Sequence, residues 1–392
     1  MRTRLLIVVG AMVVVAALAA IVRPWSTASA EGDVPRTTWG EPDLQGIWTN
    51  EFDTPLQRSA RYGTREFFTD EERAALDEER LQLLGRDRRV ERGTELDVAG
   101  AYNSVFMSMK RTGRRTSLIV DPPDGRVPGQ TPGAQQRAAE DRAFRLALLQ
   151  ATATCKGNSP ACAGGKYVAT PSPRRDEALA RYNTGRMNRH DGPEDGSLSD
   201  RCLSGTIPEF GTAYGGSFRR IVQTPGGISI FYDVGQGQGF QRSIAMHGGP
   251  HLPASVRQWH GDSRGRWEGD TLVVDVTNFS QKTDFFGSRE NLHLVERWTR
   301  TGPDTLEYRV TIEDPTVWTR PWTVVEEFTR QNEQENRIYY EPRCHEGNYG
   351  FPSLLLSARL AEKAYAEGRA PHPAFNDNAT DFVGVEENPL GR

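Results

Sequence analysis

Gly261-Asp262-Ser263-Arg264-Gly265-Arg266-Trp267-Glu268-Gly269-Asp270-Thr271-Leu272-Val273-Val274-Asp275 decides the fold. Its centre, Trp267-Glu268-Gly269-Asp270, reads as a tight turn. The run from Thr271 to Phe279 is β-branched and apolar, as a strand requires. Alternation along it places Leu272, Val274 and Val276 on one face and Val273, Asp275 and Thr277 on the other. The same grammar extends in both directions. Upstream, Ile221-Val222-Gln223, the turn Pro225-Gly226-Gly227 and Ile228 to Val234 make a hairpin. Downstream, Val295 to Arg300, the turn Thr301-Gly302-Pro303-Asp304 and Thr305 to Ile312 make another. Trp322 to Thr329 and Arg337 to Tyr340 add two more strands. This pattern predicts a mainly β protein with one antiparallel meander over about 218–343, closed into a barrel or stacked into a sandwich so that edges are hidden.

The rest of the chain has another texture. A β-rich domain over 202–392 follows an irregular, partly helical region over 31–201. In that region Thr69-Asp70-Glu71-Glu72 is a capping box, and it predicts a helix ending near Gly85. A second helix is expected from Ala134 to Gln150, and a C-terminal helix from Ser353 to Glu367, followed by an irregular tail. Residues 1–30 carry the parts of an export signal: Arg2 and Arg4, an apolar run from Leu5 to Val22, and Ala28-Ser29-Ala30 as a cleavage site. The alternative is a retained membrane anchor, since the run approaches spanning length. The export reading predicts a periplasmic or secreted location.

The formal charge is −4, and removing residues 1–30, with Arg2, Arg4 and Arg23, takes it to −7. A mildly acidic body excludes a general nucleic-acid binder, which shows a basic face. No Lys/Arg cluster is dense enough to hold anionic lipid, so no membrane contact is expected beyond an uncleaved anchor. The four cysteines, Cys155, Cys162, Cys202 and Cys344, suggest two disulfides in an oxidising compartment, with three possible pairings. A local Cys155–Cys162 staple is the simplest, leaving Cys202 with Cys344 across the β-rich half. Closing so long a loop restricts the unfolded chain by about 4 kcal/mol in the entropic account. Zinc is the rival reading, but no Cys-x-x-Cys pair exists.

Several motifs carry a resemblance. Pro42-Asp43-Leu44-Gln45-Gly46-Ile47-Trp48, then Thr54-Pro55-Leu56, resembles the opening of a large family of exported bacterial proteins of unassigned function. Arg115 to Arg126, the Gly261–Asp275 run and Cys344-His345-Glu346-Gly347-Asn348-Tyr349 are similar to the same family. The resemblance implies shared architecture and no particular reaction. The β-rich half also resembles lipocalin-like barrels, in which a Trp-x-Gly-Asp hairpin feeds an inward-facing strand. That likeness implies an interior able to hold one small ligand.

Candidate chemistry centres on histidine. His345, Glu346 and His260 are the candidate catalytic residues. A His held beside Cys344 and a carboxylate suits acid–base work near neutral pH. The competing reading is a turn histidine bonded to a backbone carbonyl. His247 and His251 stand four apart, but Gly248-Gly249-Pro250 forbids a helix between them. They are therefore a loop-borne pair of candidate ligands for a divalent metal, with His260 or His345 as a third. Asp262, Arg264, Trp267 and Asp275 are the candidate substrate-binding residues: the Arg fork for a carboxylate or oxyanion, the indole for stacking. Each has a structural alternative, as a turn ion pair, a core aromatic or a solvent-facing strand residue. There is no phosphate loop or dinucleotide fingerprint, and no organic cofactor is expected. These residues suggest a protein that binds a small, partly apolar or aromatic molecule, leaning towards a lyase, isomerase or hydrolase. The alternative is a non-catalytic ligand-binding or envelope scaffold protein.

Overall fold

The computed structural model describes residues 34–50, 52–84, 110–203, 205–210, 218–233, 239–331, 345 and 347–377. The expected leader at 1–30, the strand at Arg337 to Tyr340, Cys344 and Glu346 lie outside the described residues.

The β-rich half forms eight successive strands: β5 (Phe218–Thr224), β6 (Gly227–Asp233), β7 (Phe240–Ala245), β8 (Asp262–Glu268), β9 (Thr271–Thr277), β10 (His293–Gly302), β11 (Thr305–Glu313) and β12 (Trp322–Arg330). Neighbours pair antiparallel except β7 and β8, which run parallel and meet at one residue pair, Ala245 with Arg264. The long connection 246–261 makes that reversal possible. The sheet is closed by a strand that the pattern reading did not include. β1 (Gly46–Thr49) pairs with β5 along its length and with the end of β12 through Trp48–Arg330 and Thr49–Thr329. β4 (Ile119–Asp121) takes the other end of the same β12 edge. The result is a closed barrel of nine strands, with β4 as a tenth on its rim. Short β2 (Phe52–Asp53) and β3 (Arg111–Thr112) pair beside it. The boundary expected at residue 202 is thus crossed by the sheet, because the N-terminal region supplies the strand that removes the free edges of β5 and β12.

Helices lie outside the barrel. In α1 (Asp70–Leu84) the capping box is formed: Glu72 N–H donates to Thr69 Oγ1 (3.2 Å) and Thr69 N–H to Glu72 Oε2 (2.9 Å). α2 (Pro132–Leu149) is capped by Thr131, whose hydroxyl accepts from Ala134 N, and it buries Ala134, Phe144, Leu148 and Leu149. α3 (Ala153–Lys156) carries Cys155, which is bonded to Cys162. α4 (Gly350–Ala366) matches the expected C-terminal helix. Cys202 is also disulfide-bonded.

Alternation sends Leu272, Val274 and Val276 of β9 into the core, as the sequence predicts. The inward faces of the other strands are not purely apolar. Arg242 of β7 reaches across the lumen to Glu296 of β10 as a two-pronged pair, Nη1 to Oε1 at 2.9 Å and Nη2 to Oε2 at 2.7 Å. Glu296 is fully buried and also accepts from Tyr308 OH of β11 at 2.9 Å. Arg242 donates further to Ser263 Oγ of β8 (2.8 Å) and to Tyr232 OH of β6 (3.3 Å). Burial opposes the Arg242 charge, but the adjacent Glu296 outweighs it and raises the guanidinium's pKa. A second buried cation, Arg219 of β5, bonds Glu209 and lies over the Phe328 ring at 4.7 Å. The lumen is therefore filled by the protein's own side chains.

One end of this interior is capped by a stack. Phe240 lies flat on Tyr232, with centroids 4.7 Å apart, and His260 lies flat on Phe240 at 4.3 Å. His260 Nε2–H donates to the Gly205 carbonyl at 3.2 Å. Gly205 has φ +130°, and a Cβ there would stand 2.4 Å from Phe240 Cδ1, so only glycine fits. Burial is the main influence on the imidazole and pushes it down to about 4, against the partial offset of the Gly205 bond.

Three outcomes are expected from this packing. Glu296→Leu alone leaves Arg242 buried and unpaired and should lose about 3–5 kcal/mol, while Glu296→Leu with Arg242→Met should regain most of it. Urea unfolding of the three proteins checks this, and equal losses in the single and double variants would sink it. The second outcome concerns His260, whose folded pKa lies below its unfolded value. Its stabilising effect is complete above pH ~6.5 and is lost as pH falls towards about 4, by on the order of 3 kcal/mol. A pH series comparing His260→Phe with the wild type should show that part of the acid sensitivity removed. Thirdly, non-reducing peptide mapping should find Cys155 joined to Cys162 and Cys202 joined to Cys344, and a free Cys344 thiol would contradict the second bond.

Candidate functional site

Two places gather polar side chains. The first is the outer face of β8 to β11. Register places Arg264 opposite Asp275 and Asp275 opposite Val295, so His293, two residues before Val295, is a diagonal neighbour of Asp275 on one face. The 246–261 connection lays His251 over that face. His251 Nδ1 stands 2.9 Å from Asp262 Oδ2, and its Nε2 stands 2.8 Å from Asp275 Oδ1. The other oxygen of Asp275 is 3.2 Å from His293 Nε2, whose Nδ1 is 3.4 Å from Glu313 Oε2. The five groups make a continuous chain: Asp262, His251, Asp275, His293, Glu313. Arg264 Nε adds a bond to Asp262 Oδ2 at 3.0 Å, and Leu252 N–H adds another at 3.0 Å. Burial works to raise the Asp262 pKa, but these donors overcome it and hold the carboxyl below its ordinary value.

Both ring nitrogens of His251 and both of His293 are taken up by carboxylate oxygens. Neither ring nitrogen of His251 or His293 then faces an incoming molecule. The arrangement suits a tether that holds the 246–261 connection against the barrel. Among the described residues no group of three or more His, Cys, Asp and Glu side chains is placed to hold a metal ion.

The second place is a cavity of about 680 Å³ at one end of the barrel. Its walls are α2, the segment 179–183, the β9–β10 connection around 281–291, and residues 314 and 316 after β11. Arginines fix these walls to one another. Arg289 donates to Asp284 Oδ2 (3.0 Å), to the Tyr182 carbonyl (2.9 Å) and to the Gln281 carbonyl (3.0 Å). Arg181 pairs with Asp141 of α2 at 2.8 Å, and Arg137 of α2 donates to the Thr316 carbonyl at 2.9 Å. Asp314 is buried, accepting from Thr316 N–H (2.8 Å), Thr316 Oγ1 (2.6 Å) and Ser288 Oγ (2.6 Å). A smaller cavity of about 220 Å³ adjoins it, sharing Asp141, Leu179 to Asn183 and Arg289.

The residues singled out in the sequence fall in different places. Asp262, Arg264, Asp275 and His251 are brought together, in the surface chain and not in a pocket. Trp267 packs inward against the barrel core. His247 is exposed, and His260 is the capping imidazole already described. His345 is exposed and lines neither cavity. Glu346 lies outside the described residues. The sequence reading missed the partnership of His293, which only the β9–β10 register reveals. It missed the cavity altogether, because its walls come from five separated segments, Glu194 being one, none with a motif.

No family model matches the chain, and no curated protein matches it. Eight chains of solved structures do. One is a secreted abundant heat-soluble protein from Ramazzottius varieornatus, 11% identical, matched over 30% of this chain and 73% of that one at a TM-score of 0.21. Two others are a point mutant and the wild type of the fluorescent protein UnaG, 15% and 14% identical. Each covers 30% of this chain and 73% of its own, with TM-scores of 0.20 and 0.19. Likeness at that level is too partial to transfer a ligand or an activity.

Proposed function

We propose that this is an exported barrel protein that binds a small molecule without transforming it, and that the cavity beside α2 is the binding place. The observation that carries the reading is the cavity itself. At about 680 Å³ it falls within the range of small-molecule sites. Its walls are already fixed by Arg137, Arg181 and Arg289, so little ordering is left for a ligand to impose. The filled lumen moves the ligand from the barrel interior, where the lipocalin likeness places it, to the barrel's end. Among the described residues no histidine lines the cavity, which favours binding over the His-based acid–base chemistry expected of His345, Glu346 and His260. Location outside the cytoplasm is supported by the export-like leader, by the Cys155–Cys162 bond and bonded Cys202, and by the motif likeness to an exported family.

Ala138 lies on the cavity face of α2 and is exposed, so Ala138→Trp should fill the space without disturbing the core. A fragment library screened by ligand-observed NMR is expected to give binders to the wild type that the variant no longer takes. Binders kept at full affinity by Ala138→Trp would place the site elsewhere and overturn the reading. Export has its own check. Residues 1–30 fused to a phosphatase active only outside the cytoplasm should confer activity, and an inactive fusion would refute it.

A further inference from the structure

The cavity wall contains four cations, Arg137, Arg181, Lys282 and Arg289, and five carboxylates, Asp141, Glu194, Asp284, Glu290 and Asp314. Their arrangement decides what they offer a ligand. Arg181 is paired with Asp141, and Arg289 with Asp284. Arg137 is tied to a backbone carbonyl, and both oxygens of Asp314 accept hydroxyl or N–H donors from the wall. A charged ligand that took one of these paired groups would leave its partner uncompensated, which is costly in a partly enclosed site, and the charges outside the pairs, Lys282, Glu194 and Glu290, are exposed, where an ion pair contributes little. Paired guanidiniums still present donors, since each has five N–H groups and the Arg289 contacts use three. Paired carboxylates likewise keep lone pairs. The wall therefore offers many donors and acceptors at nearly balanced charge.

Amides reinforce this. Gln130, Gln281 and Asn291 stand exposed on the wall, and each amide both donates and accepts. Apolar lining is small: Ala134, Ala138, Leu179 and Ala180, with Tyr182 as the one aromatic ring. The Tyr182 ring is itself attended by two cations, Lys282 Nζ at 5.2 Å from its centroid and the Arg201 guanidinium at 5.1 Å. A flat apolar ligand has little surface to lie on. The chemical group that both donates and accepts, carries no charge and recurs around a small skeleton is the hydroxyl of a sugar.

We infer that the cavity takes a neutral polyhydroxylated molecule, a mono- to trisaccharide. The inference rests on the reading of the cavity as the binding place. It differs from the sequence expectation of a partly apolar or aromatic ligand, and the reason is the ion-paired, amide-rich wall, which no motif announces.

The test titrates the full mature chain with matched probes by calorimetry and saturation-transfer NMR. The neutral probes are glucose, galactose, maltose, lactose and maltotriose. Glucuronate, glucosamine and glutamine test negative, positive and zwitterionic charge, and 8-anilinonaphthalenesulfonate tests an apolar aromatic. Neutral saccharides should bind roughly tenfold or more tightly than the charged analogues, which lack a compensating partner. That binding should disappear in Ala138→Trp and weaken several-fold in Gln281→Ala, whose exposed side chain leaves folding undisturbed. If a charged probe or the aromatic dye binds more tightly and is lost in Ala138→Trp, the saccharide inference falls and the cavity reading stands. If Ala138→Trp abolishes the binding of no probe, both fall.

Discussion

A carboxylate with no solvent exposure has to be met by a cation, and Glu296 is met from across the lumen by Arg242, three strands away in the sheet. The pair draws Tyr232, Ser263 and Tyr308 into one network, so five strands share a single polar knot. Breaking any register by one residue would turn Arg242 or Glu296 out of the lumen and strand the other, which fixes the register far more firmly than apolar packing does. That matters most at β7, whose link to β8 is one parallel residue pair. The backbone ladder there is too short to set the strand's position. Its ladder with β6, from Tyr232–Phe240 to Gly227–Ala245, and the buried ion pair set it instead. The same knot occupies the centre of the barrel, so the space for another molecule has to be found at the barrel's ends.

The 246–261 connection ties this interior to the rest of the molecule. Its His251 joins the carboxylate chain on the outer face, and its His260 ends the stack that covers Tyr232, a member of the inner knot. Between them, Gln258 N–H donates to the Asn278 carbonyl at 2.9 Å, and Arg257 donates to the Glu290 carbonyl at 2.6 Å. Glu290 lines the cavity. A segment of glycine, proline and polar residues, with little apolar mass of its own, is thus held by polar contacts at both ends and in the middle. His260, a catalytic candidate in the sequence, and His251, a candidate metal ligand, both take part in this fastening. The ring suits it because its two nitrogens point in different directions, which lets His251 lie between Asp262 and Asp275 on neighbouring strands.

The hairpins were legible because their turns contain Gly, Pro and Asp at the required places, as in Pro225-Gly226 and Pro303-Asp304, and because strand faces alternate. The capping box at Thr69 and the helix beginning near Ala134 were legible for equally local reasons. β1 was not, since four residues, Gly46 to Thr49, carry no alternation long enough to read, and their role depends on two strands far along the chain. Arg242 and Glu296 were not singled out in the sequence. Nothing local distinguishes a charge that faces a partner across a lumen from one that faces water. Asp262, Arg264 and Asp275 were named together as binding candidates in the sequence, and the hairpin fixes their register, whatever they bind. His293 was not joined to them, because the intervening connection 278–292 conceals which of its strand's faces meets Asp275.

The N-terminal region, irregular as its sequence reads, is part of the barrel's completion and of the cavity's construction. Without β1, the edges of β5 and β12 would stand open beside each other. Without α2 and the segment 179–183, the loops at 281–291 and 314–316 would be exposed connections with charged side chains and no opposing wall. The arginines make this a mutual arrangement: Arg137 of α2 is anchored on the β11–β12 connection, and Arg289 of the barrel is anchored on the Tyr182 carbonyl. Each half thus holds the other by charge-assisted bonds to backbone carbonyls, which no side-chain change in the partner removes. A cavity held in that way keeps its shape while its exposed lining, Gln130, Lys282, Glu290 and Asn291, is free to vary. The barrel and its arginine ties supply the frame, and those exposed side chains set what the cavity presents.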